Sequence, residues 1–467
     1  MPAEVLSNGR AYRWTATDSA GASIGPLVFR VDVQRPGVQT VGGFGDVGVA
    51  TGSGEAVFDW ESPTLQSVVG PVGFRLVHRP SNGSGSAGLP AGWRLSAGSA
   101  AGWRQLVANE DGTITAESES GLLVVFEPTE DPDSFRAVWG ERQNWPSGTF
   151  SSLVRNEDGA SFTMQDTSGL VTTFAAPEGW TTAPVSSVWE AGAPSPIRRY
   201  SGGRLVAVED PVSGRSVAFR YGGEDCPAAG PGLEAPTGLL CGAQLWDGSQ
   251  VAIGYSGTGD DVQLVRLVAH VGAASGTEVT DLAYDEPGRL SAVRSPLAAR
   301  VIAAGVRVAD DSTTTQIAHD DQGRVVLVSG PAPAAGRPRS LRAVGYRLDD
   351  QRLTTIVSAP DAPGSPVLAT AVSDPSTFQV VEWRDAAGRS RSITWDSGTD
   401  RIVEEVDPGG LVTRFTTDEL GAPTGRIGPA TTEAIDSGAA PRQTFDVDRT
   451  FRSADDLQGE AMEGLAA

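Results

Sequence analysis

The chain has 467 residues, 36 of them basic and 58 acidic, for a formal net charge of −22. Every basic residue is Arg, which excludes a Walker-type phosphate loop, a protein-kinase core and any Schiff-base or pyridoxal enzyme, because each needs a Lys amine at a fixed place. The acids are spread along the chain without a basic cluster, which argues against a nucleic-acid partner.

With 39% hydrophobic residues, including 11 Trp and 14 Phe, a sizeable core is within reach. The 58 Gly and 31 Pro make the chain turn-rich, so the expectation is an all-β fold. No run of about 18 apolar residues occurs, so no membrane span is expected. No cofactor is implied.

In chain order, residues 1–35 alternate as two strands: Tyr12, Trp14 and Ala16 share one face, and the chain returns through Leu27, Phe29 and Val31. This pair resembles the last two strands of an immunoglobulin-like or fibronectin type III module cut from its beginning. Met1 is not followed by a basic segment and an apolar stretch, so an export signal is expected in sequence not shown. Residues 36–59 are Gly-rich with little periodicity and read as a linker. From Trp60 to about residue 445, short runs rich in Val, Leu, Phe, Tyr and Trp alternate with Asp-Gly, Ser-Gly and Gly-Arg turns, the signature of hairpins. The tail 446–467 reads as a linker or, from Ser453, a short capped helix.

Self-similarity within 60–445 points to copied supersecondary units. The phrase NEDG…SGL…F starting at Asn109 returns at Asn156, 47 residues later. A second unit consists of an aromatic or His, an Asp, two or three turn residues, Gly-Arg and a β-branched or Leu strand. It is carried by Tyr284, Asp285, Gly288 and Arg289; by His319, Asp320, Gly323 and Arg324; and by Trp383, Asp385, Gly388 and Arg389. In such a unit the Asp starts the turn, the Gly supplies positive φ, and the Arg reaches back to the Asp. These pairs are therefore expected to be structural.

At these residues the chain resembles the RHS or YD-repeat family, whose units are written around Tyr-Asp followed by Gly-Arg-Leu. Tyr284-Asp285-Glu286-Pro287-Gly288-Arg289-Leu290 fits best, and VGPVGFRLVHRPSN with LPAGWRLSAGSAAGW resembles the family's entry segment. The resemblance implies a β-hairpin strip that spirals into a shell, as in teneurins and toxin-complex subunits. It also implies a non-catalytic, secreted or cell-surface scaffold whose partner is a C-terminal payload or neighbouring domain of a longer chain. Asp407-Pro408-Gly409-Gly410 matches only the start of the family's self-cleavage motif, so no self-cleavage is expected, and an open partial spiral is expected rather than a sealed shell.

Cys226 and Cys241 bracket a Gly- and Pro-rich loop. They read as one disulfide, worth roughly 3 kcal/mol for a loop of this length, with two unrelated buried thiols as the alternative. An oxidised pair places the protein outside the cytoplasm. Gly21-Ala22-Ser23-Ile24-Gly25 and Gly43-Phe44-Gly45-Asp46-Val47-Gly48 match the nucleophile-elbow and dinucleotide spacings, but no helix follows either, so both read as turns. His78, His270 and His319 are far apart, and zinc spacing is absent. Asp pairs such as Asp260-Asp261, Asp310-Asp311 and Asp349-Asp350 lack the spaced-oxygen pattern of a calcium loop. The alternative functions are a carbohydrate-binding surface, with Trp93, Trp103, Trp139 and Trp145 as glycan contacts, and a glycoside hydrolase with a carboxylate pair.

Overall fold

Short alternating segments separated by tight turns can satisfy their backbone groups only by pairing with their neighbours. In the computed structural model the chain does so as antiparallel hairpins, and the described residues are all-β apart from two short α-helices and two 3-10 turns. The structure describes residues 11–17, 23–30, 40–80, 88–97, 103–109, 112–118, 123–138, 151–166, 170–190, 196–223, 225–271, 276–349, 352–375, 378–396, 402–417 and 423–444. Trp139, Trp145 and the tail from Ser453 lie outside them.

Strands β1 (Ala11–Thr17) and β2 (Ser23–Arg30) pair with each other. Next come β3 (Thr40–Phe44), β4 (Val47–Ala50), β5 (Ala56–Glu61), β6 (Leu65–Ser67), β7 (Gly70–Val72), β8 (Arg75–His78) and β9 (Trp93–Ser96). Five of them form a sheet in the order β3-β4-β5-β8-β9, while β6 and β7 make a separate hairpin. The linker expected over 36–59 is thus corrected for residues 40–59, which hold strands with Val47, Val49, Ala56 and Phe58 buried. The glycines that suggested a linker serve close approach: a Cβ at Gly52 would stand 2.5 Å from the Phe378 side chain.

The long strip begins at Trp103 rather than Trp60. Its first strands are β10 (Trp103–Ala108), β11 (Ile114–Ser118), β12 (Leu123–Pro128), β13 (Ser134–Val138), β14 (Ser151–Arg155), β15 (Ser161–Asp166), β16 (Leu170–Ala175) and β17 (Thr182–Glu190). Within it, β10 also pairs with β17 through Gln105↔Pro184, Leu106↔Ala183 and Val107↔Thr182, closing an eight-stranded antiparallel barrel. The 47-residue repeat explains the closure. Each copy supplies four strands, and β17 meets β10 as β13 meets β14. Leu106, Phe126, Leu153, Phe162, Met164 and Phe174 fill the interior, as an eight-stranded barrel allows.

Strand β17 is the branch point. Beyond its barrel pairing, Ser187 and Val188 pair with Arg199 and Arg198 of β18 (Ile197–Ser201), and the strip continues in strict sequence order to β36 (Arg442–Thr444). Its apolar face and the five-stranded sheet share one core, which includes Phe58, Leu76 and Trp93 from the sheet and Phe219, Leu264, Leu290 and Val325 from the strip. Helix α1 (Pro296–Ala303), capped by Ser295, and α2 (Thr432–Asp436) interrupt the strip. Both are too short for helical periodicity to register in the sequence.

Candidate functional site

The polar residues that recur along the strip converge at its turns. In the Tyr284 unit, Asp285 Oδ1 accepts the Arg289 backbone N–H at 2.8 Å and Oδ2 accepts Arg289 Nε–H at 2.8 Å. The same two bonds join Asp320 to Arg324 at 2.9 and 2.9 Å and Asp385 to Arg389 at 3.0 and 2.7 Å. Gly288, Gly323 and Gly388 hold φ of 82°, 80° and 78°, which the turn requires. Burial alone would push the Asp285 and Asp320 carboxyls up, but the bonds from Arg289 and Arg324 hold both below the ordinary range. Asp407, in the segment that matches a self-cleavage motif in part, makes the same turn by accepting the Gly409 and Leu411 N–H groups at 2.8 and 2.9 Å.

Guanidinium groups also link successive turns. Arg289 Nη1 donates to the Asp320 carbonyl at 3.2 Å, and the Arg324 guanidinium lies 4.7 Å from the Tyr346 ring centroid. The Tyr hydroxyls add a second recurring device. Tyr221 donates to the Leu205 carbonyl at 2.8 Å, Tyr255 to Leu240 at 2.6 Å, Tyr284 to Leu264 at 2.8 Å and Tyr346 to Val325 at 2.8 Å. Burial raises the Tyr255, Tyr284 and Tyr346 phenols well above their ordinary value. Sequence reasoning missed this back-bonding. The only signal for it is an aromatic 15 to 21 residues after the acceptor, a spacing too variable to stand out. His319 and Trp383 replace Tyr in their units: His319 Nδ1 lies 3.9 Å from Asp285 Oδ2, and Trp383 packs against the shared core.

Five-stranded sheet and strip are pinned at several points. Val325 N–H donates to the Gly54 carbonyl at 2.8 Å, Thr355 Oγ1 to the Thr51 carbonyl at 2.6 Å, and Leu240 N–H to the Gly88 carbonyl at 2.6 Å. Asp210, fully buried, accepts the Val68 N–H of the β6–β7 hairpin at 3.3 Å and Ser213 Oγ–H at 2.7 Å. Phe74 stands edge-on to Phe219 at 5.1 Å. Cys226 and Cys241 form a disulfide with Cα atoms 5.8 Å apart, tying the loop between β20 (Ser216–Tyr221) and β21 (Leu240–Gln244).

The glycan-contact expectation is corrected where it can be read. Trp93 is 1% and Trp103 6% exposed, because each ring fills a core, and neither presents a stacking face. The partly exposed Trp180 stands edge-on to Phe162 at 5.4 Å, beside an open depression of about 540 Å³ at one barrel mouth. That depression also holds two carboxylates, Asp158 and Glu178. Asp158 accepts Ser161 Oγ–H at 2.7 Å and the Ala160 N–H at 2.8 Å, which hold it below the ordinary range. A glycosidase acid needs the opposite shift. Among the described residues, no group of three or more His, Cys, Asp or Glu is placed to hold a metal ion. Nor is any helix long and apolar enough to cross a membrane.

No protein-family model matches the chain, and no curated protein is similar to it. Among solved structures it is similar to the Photorhabdus luminescens Tc holotoxin pore, at TM-score 0.32 and 8% identity over 80% of this chain and 22% of that one. A TcdB2–TccC3 structure matches at TM-score 0.25 and 10% identity over 94% and 24%, and a porin-like protein from Bacteroides uniformis at 0.15 and 9% over 58% and 93%. The chain spans about a fifth to a quarter of the toxin chains it matches.

Proposed function

We propose that this chain is a non-catalytic scaffold: a segment of RHS-like hairpin shell that encloses or presents another domain, a C-terminal payload or neighbouring domain of a longer polypeptide. The observation that carries this reading is the commitment of the recurring Asp, Arg and Tyr side chains to holding turns and strands in register. Such groups are occupied in the fold rather than free for a substrate. The Tyr-Asp…Gly-Arg units support a shell, and the Cys226–Cys241 disulfide supports a secreted or surface location in an oxidising compartment.

A small reporter domain fused after Ala467 through a cleavable joint tests the proposal. After the joint is cut, the reporter should co-elute with the chain and resist protease severalfold longer than the free reporter. Separation of the two, with digestion at the free rate, overturns the scaffold reading.

A further inference from the structure

Two of the three histidines meet at one repeat unit, on the seam between the five-stranded sheet and the strip. His78, at the end of β8, is 5% exposed, and its Nδ1 has no hydrogen-bond partner among the described residues. Its ring lies 5.1 Å from Trp93 of β9 and 6.0 Å from Tyr284 of the strip, and Phe58 of β5 stands opposite it in register. A Cβ added at Gly92 would come within 3.1 Å of His78 Nε2, so the wall on that side is close. Charged residues of the adjacent strands sit on the other face. Asp59 of β5 and Arg94 of β9 are both opposite Val77, and strand alternation turns them away from His78. Arg75, two residues before Val77, shares that outer face and pairs with Asp59 and Glu61. From the strip, the titratable group facing His78 is the Tyr284 phenol. On the other side of that unit, His319 Nδ1 lies 3.9 Å from Asp285 Oδ2, with its side chain 3% exposed. Asp285, Asp320 and Arg289 are the charged groups around it.

We propose that acid releases the five-stranded sheet from the strip, with His78 as the principal proton acceptor and His319 as the secondary one. A proton on His78 places a charge in an aromatic pocket with no carboxylate among the described residues to receive it, and undocking returns that charge to water. Burial lowers His78 to about 4 from the ordinary 6.5. His319 is lowered too, by burial first and then by Arg289, with Asp285 and Asp320 opposing. Both groups are therefore more basic when undocked. Docking is at full strength above pH 6.5 and weakens about tenfold per pH unit as the pH falls toward 4, on the order of a hundredfold in all for His78. This release is independent of whether the strip holds a payload.

Pulse-labelling hydrogen exchange on the whole chain, equilibrated at pH 7.5 to 4 and labelled at one fixed pH, tests the proposal. Wild type should lose amide protection in β5 and β8 as the pH drops below 6.5, while the barrel strands stay protected. His78→Phe keeps a ring and removes the proton site, so it should retain protection to pH 4; if that variant does not fold, His78→Gln serves in its place. His319→Tyr should shift the transition by a smaller amount. Wild-type protection that persists to pH 4, or a loss at the same pH in the His78 variants, overturns the proposal.

Discussion

In the barrel, Leu106, Phe126, Leu153 and Phe162 meet across a ring that the second repeat copy closes on the first. In the strip after β18, Phe219, Leu264, Leu290 and Val325 have no far wall of their own and pack against Phe58, Leu76 and Trp93 of another sheet. The turns differ in parallel. Barrel turns are tied locally by Asn, Asp, Ser and Thr, as in Asn109 with Thr113 and Asp158 with Ser161. Strip turns keep such ties at Asp210 with Ser213 and Asp247 with Ser249, but add Asp–Arg pairs at Asp285, Asp320 and Asp385, and the Arg289 and Arg324 guanidiniums reach the next unit. The difference teaches what closure does: a closed ring fixes each strand's neighbours by itself, whereas an open strip needs a covering sheet and a coupling group between hairpins.

The strongest way to break this comparison is Phe162→Ala. It leaves a cavity in the barrel core and should cost about 3–5 kcal/mol, with lost exchange protection confined to β10–β17; loss spreading past β18 would refute the barrel's independence. Next, reduction of Cys226–Cys241 should cost roughly 3 kcal/mol by thermal melting, with its local effects in β20 and β21 and none in the barrel. Arg324→Lys sharpens the coupling claim. Lys cannot reproduce the Nε bond to Asp320 or the planar stack on Tyr346, so the unfolding free energy from denaturant titration should fall by about 1 kcal/mol once solvent screening is allowed for. The smallest effect is expected from Arg389→Lys. Its side chain is 69% exposed and its bonds to Asp385 stay within its own turn, so the melting temperature should not move measurably. Equal effects at Arg324 and Arg389 would refute a role for inter-unit contacts.

Much of the strip was legible because hairpin chemistry is local. Asp285 and Arg289, or Asp320 and Arg324, sit four residues apart and announce their turn wherever they occur. The Trp-rich stretch was less legible, since a tryptophan's role depends on which face of its strand is covered. Trp93 became core because the strip lies over β9, and Trp103 because the barrel closes over β10. Residues 40–59 were misread because glycines needed for close packing have the same composition as glycines in a linker.

By itself, then, the amino-acid sequence determined the all-β class, the turn units and the 47-residue duplication, and it left Cys226 and Cys241 as one disulfide or two buried thiols. Only the tertiary structure decided that the duplication closes into a barrel, that the glycine-rich lead-in is a covering sheet, and that His78 and His319 flank one unit. The physical reason is separation. Pairing Leu106 with Ala183, or bonding Thr355 to Thr51 across 304 residues, depends on how accumulated strand twist and apolar burial bring distant segments together. No local pattern encodes that sum.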